Sequence, residues 1–438
     1  SNTLYVMIEF PPYSKSTDLT VGDEDLKHLI FSINDRYLYW SDVKYRVPAG
    51  LSAIDLWGKV KAVRQQTDIE IWPYRHIHFS LTNAMQRMCH EFDMNFGGSW
   101  GASKIFPDDK TTQELYMISS IMEEAIASSQ IEGAATTRDA AKEMLRKKMS
   151  PKDKSQRMIL NNYNTINFIR EHAKEKLTPE LIMQIHGMMT DNALDVPDAA
   201  GRLRREDENI VVGDGMTGET VHTPPEAECL PEFMDRLCAF FNDEKASVFV
   251  HPIIRAITIH YLIGYYHPFA DGNGRTGRAL FYWYMMKSDY WLVQYLSISR
   301  IIKDSKKFYE KAFLYSEADG NDIGYFIQYN LEVLLKSFEA LSRYIKKKNN
   351  EKKKAEKLLH LGNITERQSQ ILGIFIENPD KVMVAADVSA RFGVSANTAK
   401  SDLRDLVSKG YLTEINMNRK KCGYVRSADF DRMVGKVK

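Results

Sequence analysis

Apolar residues recur at i, i+3, i+4 and i+7 through Leu115 to Ile126, Met158 to Ile169, Leu181 to Met189 and Leu230 to Phe241, which predicts helices that each bury one face. Ile253 to Tyr266 also has helical length, and Pro268 directly after His267 disfavours its continuation. The helical pattern resumes over Arg275 to Met286. Between these segments, Asp191 to Pro225 is rich in Gly and Pro. Within it, Asn209 to Val212, a Gly-rich turn at Gly213 to Gly218 and Thr220 to Thr223 predict a β-hairpin flap.

The two ends of the chain read differently from this middle. Residues 1–100 open on a strand-like Leu4 to Phe10 and continue with helical patterning around Leu51 to Val63 and Ile77 to Phe92. The Lys-rich stretch 346–357 is low in apolar residues and predicts a basic linker or an exposed helix end. Beyond it, Glu366 to Glu377, Ala385 to Phe392 and Ala396 to Lys409 predict three helices, with Gly393-Val-Ser395 as the turn before the last. Tyr411 to Asn416 and Gly423 to Arg426, joined by the basic turn Arg419 to Lys421, complete a pattern that resembles winged helices. The expected fold is therefore mainly α. It comprises an α+β N-terminal region over 1–100, a helical core over 101–345 with the flap at 209–223, the basic stretch, and a winged helix-turn-helix domain over 358–438.

Composition narrows the function classes. A chain of 438 residues with 44% hydrophobic and 27% charged residues has material for several packed cores. A net charge of +1 projects no strong field toward nucleic acid or membrane, so any charged partner must meet a local patch. Arg255 and His260 make the longest apolar run too polar for a bilayer span, and no membrane association is expected. Cys89, Cys229, Cys238 and Cys422 lie far apart with no C-x-x-C pair, which suggests neither a disulfide framework nor a zinc site. With no leader pattern in the first residues, a reducing cytoplasm is the expected setting.

The chemistry concentrates in His267-Pro-Phe-Ala-Asp271-Gly-Asn-Gly-Arg275-Thr-Gly-Arg278. His267 should emerge where a helix yields to a loop, accessible and able to titrate near neutrality. Gly272, Asn273 and Gly274 allow successive backbone N–H groups to converge into an anion-binding nest. The following helix places its N-terminus and dipole at that nest. Arg275 and Arg278, three apart, share one helix face and can grip different oxygens of one polyphosphate. Asp271, just before the nest, suits Mg²⁺, which prefers one or two carboxylates together with phosphate oxygens and water. A dinucleotide reading of Gly272 to Gly277 fails because a helix and not a strand precedes it. A calcium-loop reading fails because Arg275 stands at the fifth position and the twelfth lacks Glu.

The same twelve residues match H-x-F-x-[DE]-G-N-G-R-x-x-R at every fixed position, and on them the chain resembles the Fic family. The resemblance extends over roughly residues 110–330. It implies transfer of AMP from ATP to a Ser, Thr or Tyr hydroxyl of a target protein or of the chain itself. It makes His267 the general base, Asp271 the Mg²⁺ ligand, Gly272, Asn273 and Gly274 the phosphate cradle, and Arg275 and Arg278 the phosphate-binding cations. Phe269 is expected to pack under the loop as a core anchor. Tyr309 lies in a stretch similar to one near the family's nucleoside, where it lines the ATP site or packs in the core. The flap at 209–223 would pair in β-strand fashion with the target.

Upstream, Ser128-Ser-Gln-Ile-Glu132-Gly133 matches the family's inhibitory helix motif [S/T]-x-x-x-E-[G/N], here on a helix over about 115–133. The resemblance implies that Glu132 pairs with Arg278 and denies it to the γ-phosphate. Other readings stay open: transfer of UMP or phosphocholine, removal of AMP assisted by the same Glu132, and a DNA or protein partner at 358–438. Family members often dimerise through helical surfaces, so a homodimer is a further expectation.

Overall fold

The computed structural model describes residues 8–13, 23–96, 110–208, 210–213, 220–242, 248–359, 363–418 and 421–434. It is mainly helical, with three separate two-stranded antiparallel pairs. In chain order the first part holds α1 (Glu24–Asp35), α2 (Trp40–Val43), α3 (Ala53–Gln66), β1 (Asp68–Trp72), β2 (Ile77–Ser80) and α4 (Asn83–Phe96). The middle holds α5 (Lys110–Ile131), α6 (Arg138–Arg146), α7 (Lys154–Glu171), α8 (Pro179–Thr190), β3 (Val212–Gly213), β4 (Thr220–His222), α9 (Leu230–Asn242), α10 (Pro252–Tyr266), α11 (Asn273–Lys287), α12 (Ile298–Asp304), α13 (Lys306–Ala318) and α14 (Gly324–Leu359). The last part holds α15 (Glu366–Glu377), α16 (Ala385–Phe392), α17 (Ala396–Ser408), β5 (Leu412–Asn418), β6 (Lys421–Arg426) and α18 (Phe430–Val434).

Two compact units divide the chain at residues 341 and 342. The first is organised around α10, which buries residues on every side from Ile253 to Ile263. Such an all-round apolar helix belongs at a core centre, since it has no polar face to turn to water. Pro252 starts it at a position where the missing N–H costs nothing, and His251 caps it by accepting from the Ile253 N–H. Its C-terminus falls at His267, whose backbone is left-handed at φ 46°, and Pro268 forbids a further helical turn. Helix α11 packs along it and is buried from Asn273 to Met286, apart from Gly274. Helix α5 packs against α7 and α12 and buries Ile121, Ala125 and Ile126.

Several expectations need correction. Residues 24–96 lie in the same compact unit as the helical core. Arg64, fully buried, donates to Asn34, to the Leu38 carbonyl and to the Tyr325 hydroxyl at 2.6–2.8 Å, while Tyr37 donates to Asp322 at 2.6 Å. The Trp72 indole reaches the Tyr266 hydroxyl, next to His267, at 3.0 Å. The helical pattern at Ile77 to Phe92 splits, because Ile77 to Ser80 pairs with Asp68 to Trp72 and Thr82 caps the helix that follows. Ile8 to Phe10 is not in a strand, and the rest of the expected opening strand lies outside the described residues. The basic stretch 346–357 is helical, the continuation of α14. Lys, Glu and Ala are good helix formers, so low hydrophobicity there did not mean a linker.

In the second unit, α15, α16 and α17 enclose Ile371, Leu372, Phe375, Val388, Ala399, Leu403 and Leu406. Tyr411, Leu412 and Tyr424 close this core from the β5–β6 hairpin, and an isolated bridge joins Met383 to Tyr424. Arg419 and Lys420 of the expected basic turn lie outside the described residues.

Candidate phosphate-binding site

The loop between α10 and α11 is built by contacts that cross the fold. Phe269 is fully buried, and its ring stacks on His186 of α8 with centroids 3.8 Å apart and planes 4° from parallel. The Asn273 side chain accepts from the Phe269 N–H at 3.0 Å and donates to the Phe269 carbonyl at 2.8 Å. It therefore ties the loop into a ring. Gly272, at φ 86°, takes the left-handed N-cap position before α11. A side chain there is excluded twice, by the backbone angle and because a Cβ would lie 2.9 Å from Thr190.

His186 and Arg204 complete the scaffold, and neither stood out in the sequence. His186 Nδ1 accepts the Gly201 N–H at 3.1 Å, so Nε2 carries the proton and donates to the Asp271 carbonyl at 2.8 Å. Burial pushes its pKa down to about 4, which keeps this neutral tautomer. Arg204 is buried and donates to the carbonyls of His267 at 2.8 Å, Pro225 and Tyr266. The backbone that presents His267 is thus anchored from below. The signal for His186 was a lone polar side chain on the buried face of a helix, and Arg204 stood among other charged residues; spacing alone cannot attach either to a loop some 60 to 85 positions away.

His267 itself is half-buried. Its Nδ1 lies 3.3 Å from the Gly264 carbonyl, an acceptor only, so Nδ1 carries the proton and Nε2 keeps a lone pair. Burial pushes the ring's pKa down to about 4, and the neutral form prevails at physiological pH. The flap strand β4 reaches the same region. His222 places Nε2 2.7 Å from the Tyr265 carbonyl and Nδ1 2.9 Å from the Glu317 carboxylate. Both nitrogens face acceptors, which only the imidazolium satisfies at once. Although burial opposes the charge, the Glu317 hydrogen bond prevails and the His222 pKa is raised.

On the far side of the loop lie the two arginines. Arg275, almost fully buried, donates Nη1 to the Met189 carbonyl at 3.3 Å and has Nη2 3.8 Å from Asp271. Arg278, equally buried, donates Nε to the Ser128 hydroxyl at 2.9 Å and Nη2 to the Ser128 carbonyl at 3.1 Å and to Glu132 at 2.8 Å. Arg275 Nε and Nη2 and Arg278 Nη1 have no hydrogen-bond partner among the described residues. Buried guanidinium donors without acceptors are costly, and a polyphosphate would supply what they lack.

The Glu132 carboxylate stands over the cradle. A Cβ built on Gly274 would fall 2.1 Å from its Oε1, so only glycine fits beneath it. Burial alone would raise the pKa of this carboxyl, but Arg278 outweighs burial and holds it below the ordinary value. Gly133, just after α5, is left-handed at φ 96°. The helix is fixed by a second buried acid, Glu124, which accepts from the Ser299 N–H at 2.9 Å, the Tyr282 hydroxyl at 2.9 Å and the Ser297 hydroxyl at 3.1 Å. Lys306 donates to the carbonyl of Ile131 at the helix end.

Tyr309 takes the second of its two expected readings, packing in the core. It is buried, and its hydroxyl bonds His260 Nε2 at 2.8 Å. Arg278 lies between it and the cradle side of Glu132, so Tyr309 braces the arginine from within the core. Asp271 is more than half exposed, and one of its oxygens accepts the Gly272 N–H. No group of three or more His, Cys, Asp or Glu side chains placed to hold a metal ion occurs among the described residues. A lone exposed carboxylate beside an anion cradle fits Mg²⁺, which takes its remaining ligands from phosphate and water. No helix among the described residues is long and apolar enough to cross a membrane.

Residues 176–285 match the profile of the Fic/DOC family. The chain is 30% identical over 172 residues to a protein adenylyltransferase Fic of Nematostella vectensis, covering 37% of each sequence. It is 33% identical over 121 residues to a protein adenylyltransferase of Caenorhabditis elegans, covering 28% of this chain and 21% of that protein. The matches thus span about a fifth to a third of these relatives' lengths. A Fic family protein from Desulfovibrio desulfuricans has a solved structure that superposes with a TM-score of 0.50 at 17% identity, over 80% of this chain and 98% of that one. The likeness extends to the fold.

Proposed function

We propose, from the match of residues 176–285 to the Fic/DOC family model, that the chain transfers AMP from ATP to a hydroxyl of a protein, its own or a target's, under restraint by Glu132. One observation carries the reading. Two buried arginines hold unsatisfied donors around a glycine cradle at a helix N-terminus, and the anion that pairs with Arg278 over that cradle is the chain's own Glu132. The named relatives being protein adenylyltransferases supports AMP as the transferred group.

In this reaction His267 Nε2 takes the proton of the target hydroxyl as its oxygen attacks the α-phosphorus. The bond from that phosphorus to the bridging oxygen breaks, and pyrophosphate leaves. The N–H groups around Gly272 to Gly274 and the Arg275 guanidinium stabilise the charge that spreads over the phosphate oxygens. Asp271 would hold Mg²⁺, which when bound offsets phosphate charge. The target segment docks beside β4 of the flap, whose His222 is tied to the Tyr265 carbonyl two residues before the base. The dispersed free cysteines favour a reducing compartment such as the cytoplasm.

Incubation with ATP, UTP, CTP and GTP, each labelled at the α-phosphate, tests the reading. Label should enter protein from ATP above the others and vanish in His267→Ala. Equal incorporation from a pyrimidine nucleotide, or label persisting in His267→Ala, would overturn it.

A further inference from the structure

The chain's net charge of +1 conceals a strong segregation. Residues 342–438 carry 21 Lys and Arg against 11 Asp and Glu, whereas residues 1–341 carry 38 against 47. The second unit is thus a basic body, though eight of its cations lie on the helical stretch 342–359. A charge of this kind draws nucleic acid by counterion release but selects no sequence.

Helix α17 adds a surface that does more than attract. It follows α16 through the turn at Gly393, and Ser395 caps it by accepting from the Thr398 N–H. Asn397, Lys400, Ser401, Arg404 and Ser408 are exposed, a spacing that puts them on one face. The two acids of the helix, which on sequence alone weigh against an anionic partner, are both paired within the unit. Asp402 is buried and accepts from Arg367 at 2.5 Å. Asp405 stays partly exposed at the edge of the stripe, where it accepts from Gln368 at 2.6 Å and Lys409 at 2.5 Å. Glu414 of β5 is the acid that does face the stripe, beside Arg404 and Tyr424.

We propose that this unit reads double-stranded DNA, with α17 entering the major groove. Asn397, Lys400 and Ser401, on the N-terminal half of the helix, face base edges, the geometry in which helix-turn-helix proteins discriminate sequence. Asn is suited to adenine and Lys to guanine, while Arg404, held against the hairpin, meets a flanking phosphate. The basic stretch of α14 supplies attraction without choice.

The full chain tests this with a pool of random labelled duplexes, subjected to repeated selection and then read by fluorescence anisotropy. A shared motif should emerge, and binding should weaken steeply between about 50 and 200 mM salt. Asn397→Ala should remove preference at one base, and Lys400→Glu should weaken the selected duplex about 10- to 100-fold. Both residues are exposed, so thermal melts of these variants should match the parent. Replacing Lys346, Lys347 and Lys348 by Ser should weaken all duplexes alike and keep the motif. No binding at about 50 mM salt, or selected-site affinity unchanged by Asn397→Ala and Lys400→Glu together, would overturn the proposal. Capture by this stripe of an acidic protein, with no duplex retained, would assign it to protein docking instead.

Discussion

The two ends of the segment 267–278 are prepared in opposite ways. At the first, His267 is held by its N–H on the Ile263 carbonyl, its ring Nδ1 on the Gly264 carbonyl and the Arg204 guanidinium on its own carbonyl, with its Nε2 lone pair uncommitted. At the last, Arg278 is gripped by Ser128 and Glu132 of another helix, at donors a phosphate would otherwise take. In the proposed reaction the base would be ready while the cation is occupied. Restraint imposed on the cation would leave the reacting geometry intact, so that displacing a single carboxylate would restore activity without rebuilding the site.

Breaking the ready end should have the largest effect. His267→Ala is expected to lower AMP incorporation by about 10²- to 10⁴-fold, measured as initial rate with α-labelled ATP. Because the base titrates at about 4, kcat/KM should stay level as pH falls from about 7 toward 5 and drop only when the ring protonates. An acid limb centred near the ordinary histidine value of about 6.5 would mean that burial does not govern the base.

Breaking the occupied end should act in the other direction. Glu132→Gly frees a charge-assisted contact worth roughly 1.5–3 kcal/mol, so incorporation should rise about 10- to 100-fold. Gly274→Ala sharpens the same contrast. Its Cβ collides with the Glu132 carboxylate, which should cost roughly 1–3 kcal/mol in thermal unfolding of the parent. In a Glu132→Gly background much of that cost should disappear, and equal costs in both backgrounds would place the clash elsewhere.

The smallest expected effect concerns the flap. The raised pKa of His222 means that its bridge to Glu317 and Tyr265 is fully present below about 6.5 and is lost as pH rises through the raised value. Arg204 and His267 face it as well, the first opposing its charge and the second losing basicity to it. Amide exchange at Val221 and His222 should therefore accelerate at alkaline pH beyond the intrinsic rate, and Glu317→Gln should flatten the difference.

Much of this contrast was legible in the residues, and the parts that were not share a cause. Helix α10, its stop at His267, the renewed helix at 273 and the hairpin at 212–222 follow from local rules: periodicity, a proline, paired glycines. The Glu132–Arg278 pair was legible only through the resemblance, since 146 positions separate its members. His186, Arg204 and Glu124 went unread because their roles exist only once α8, the 204 loop and α5 meet the catalytic segment. Tyr309 stayed open between the ATP site and the core for the same reason: an aromatic behind an arginine and one in front of it have identical sequence neighbours. The helical 346–357 shows the converse, where local propensity decided between the two expected readings, a linker and a helix end, in favour of the helix.

The claim that Glu132 withholds Arg278 from the terminal phosphate is tested most directly by calorimetric binding of ATP and ADP, with Mg²⁺, to His267→Ala, which cannot turn over. With Glu132 in place the two nucleotides should bind with similar affinity. With Glu132→Gly added, ATP should bind at least about 10-fold more tightly than ADP, the worth of one charge-assisted phosphate contact. An ATP-to-ADP ratio unchanged by removal of Glu132 would contradict the claim.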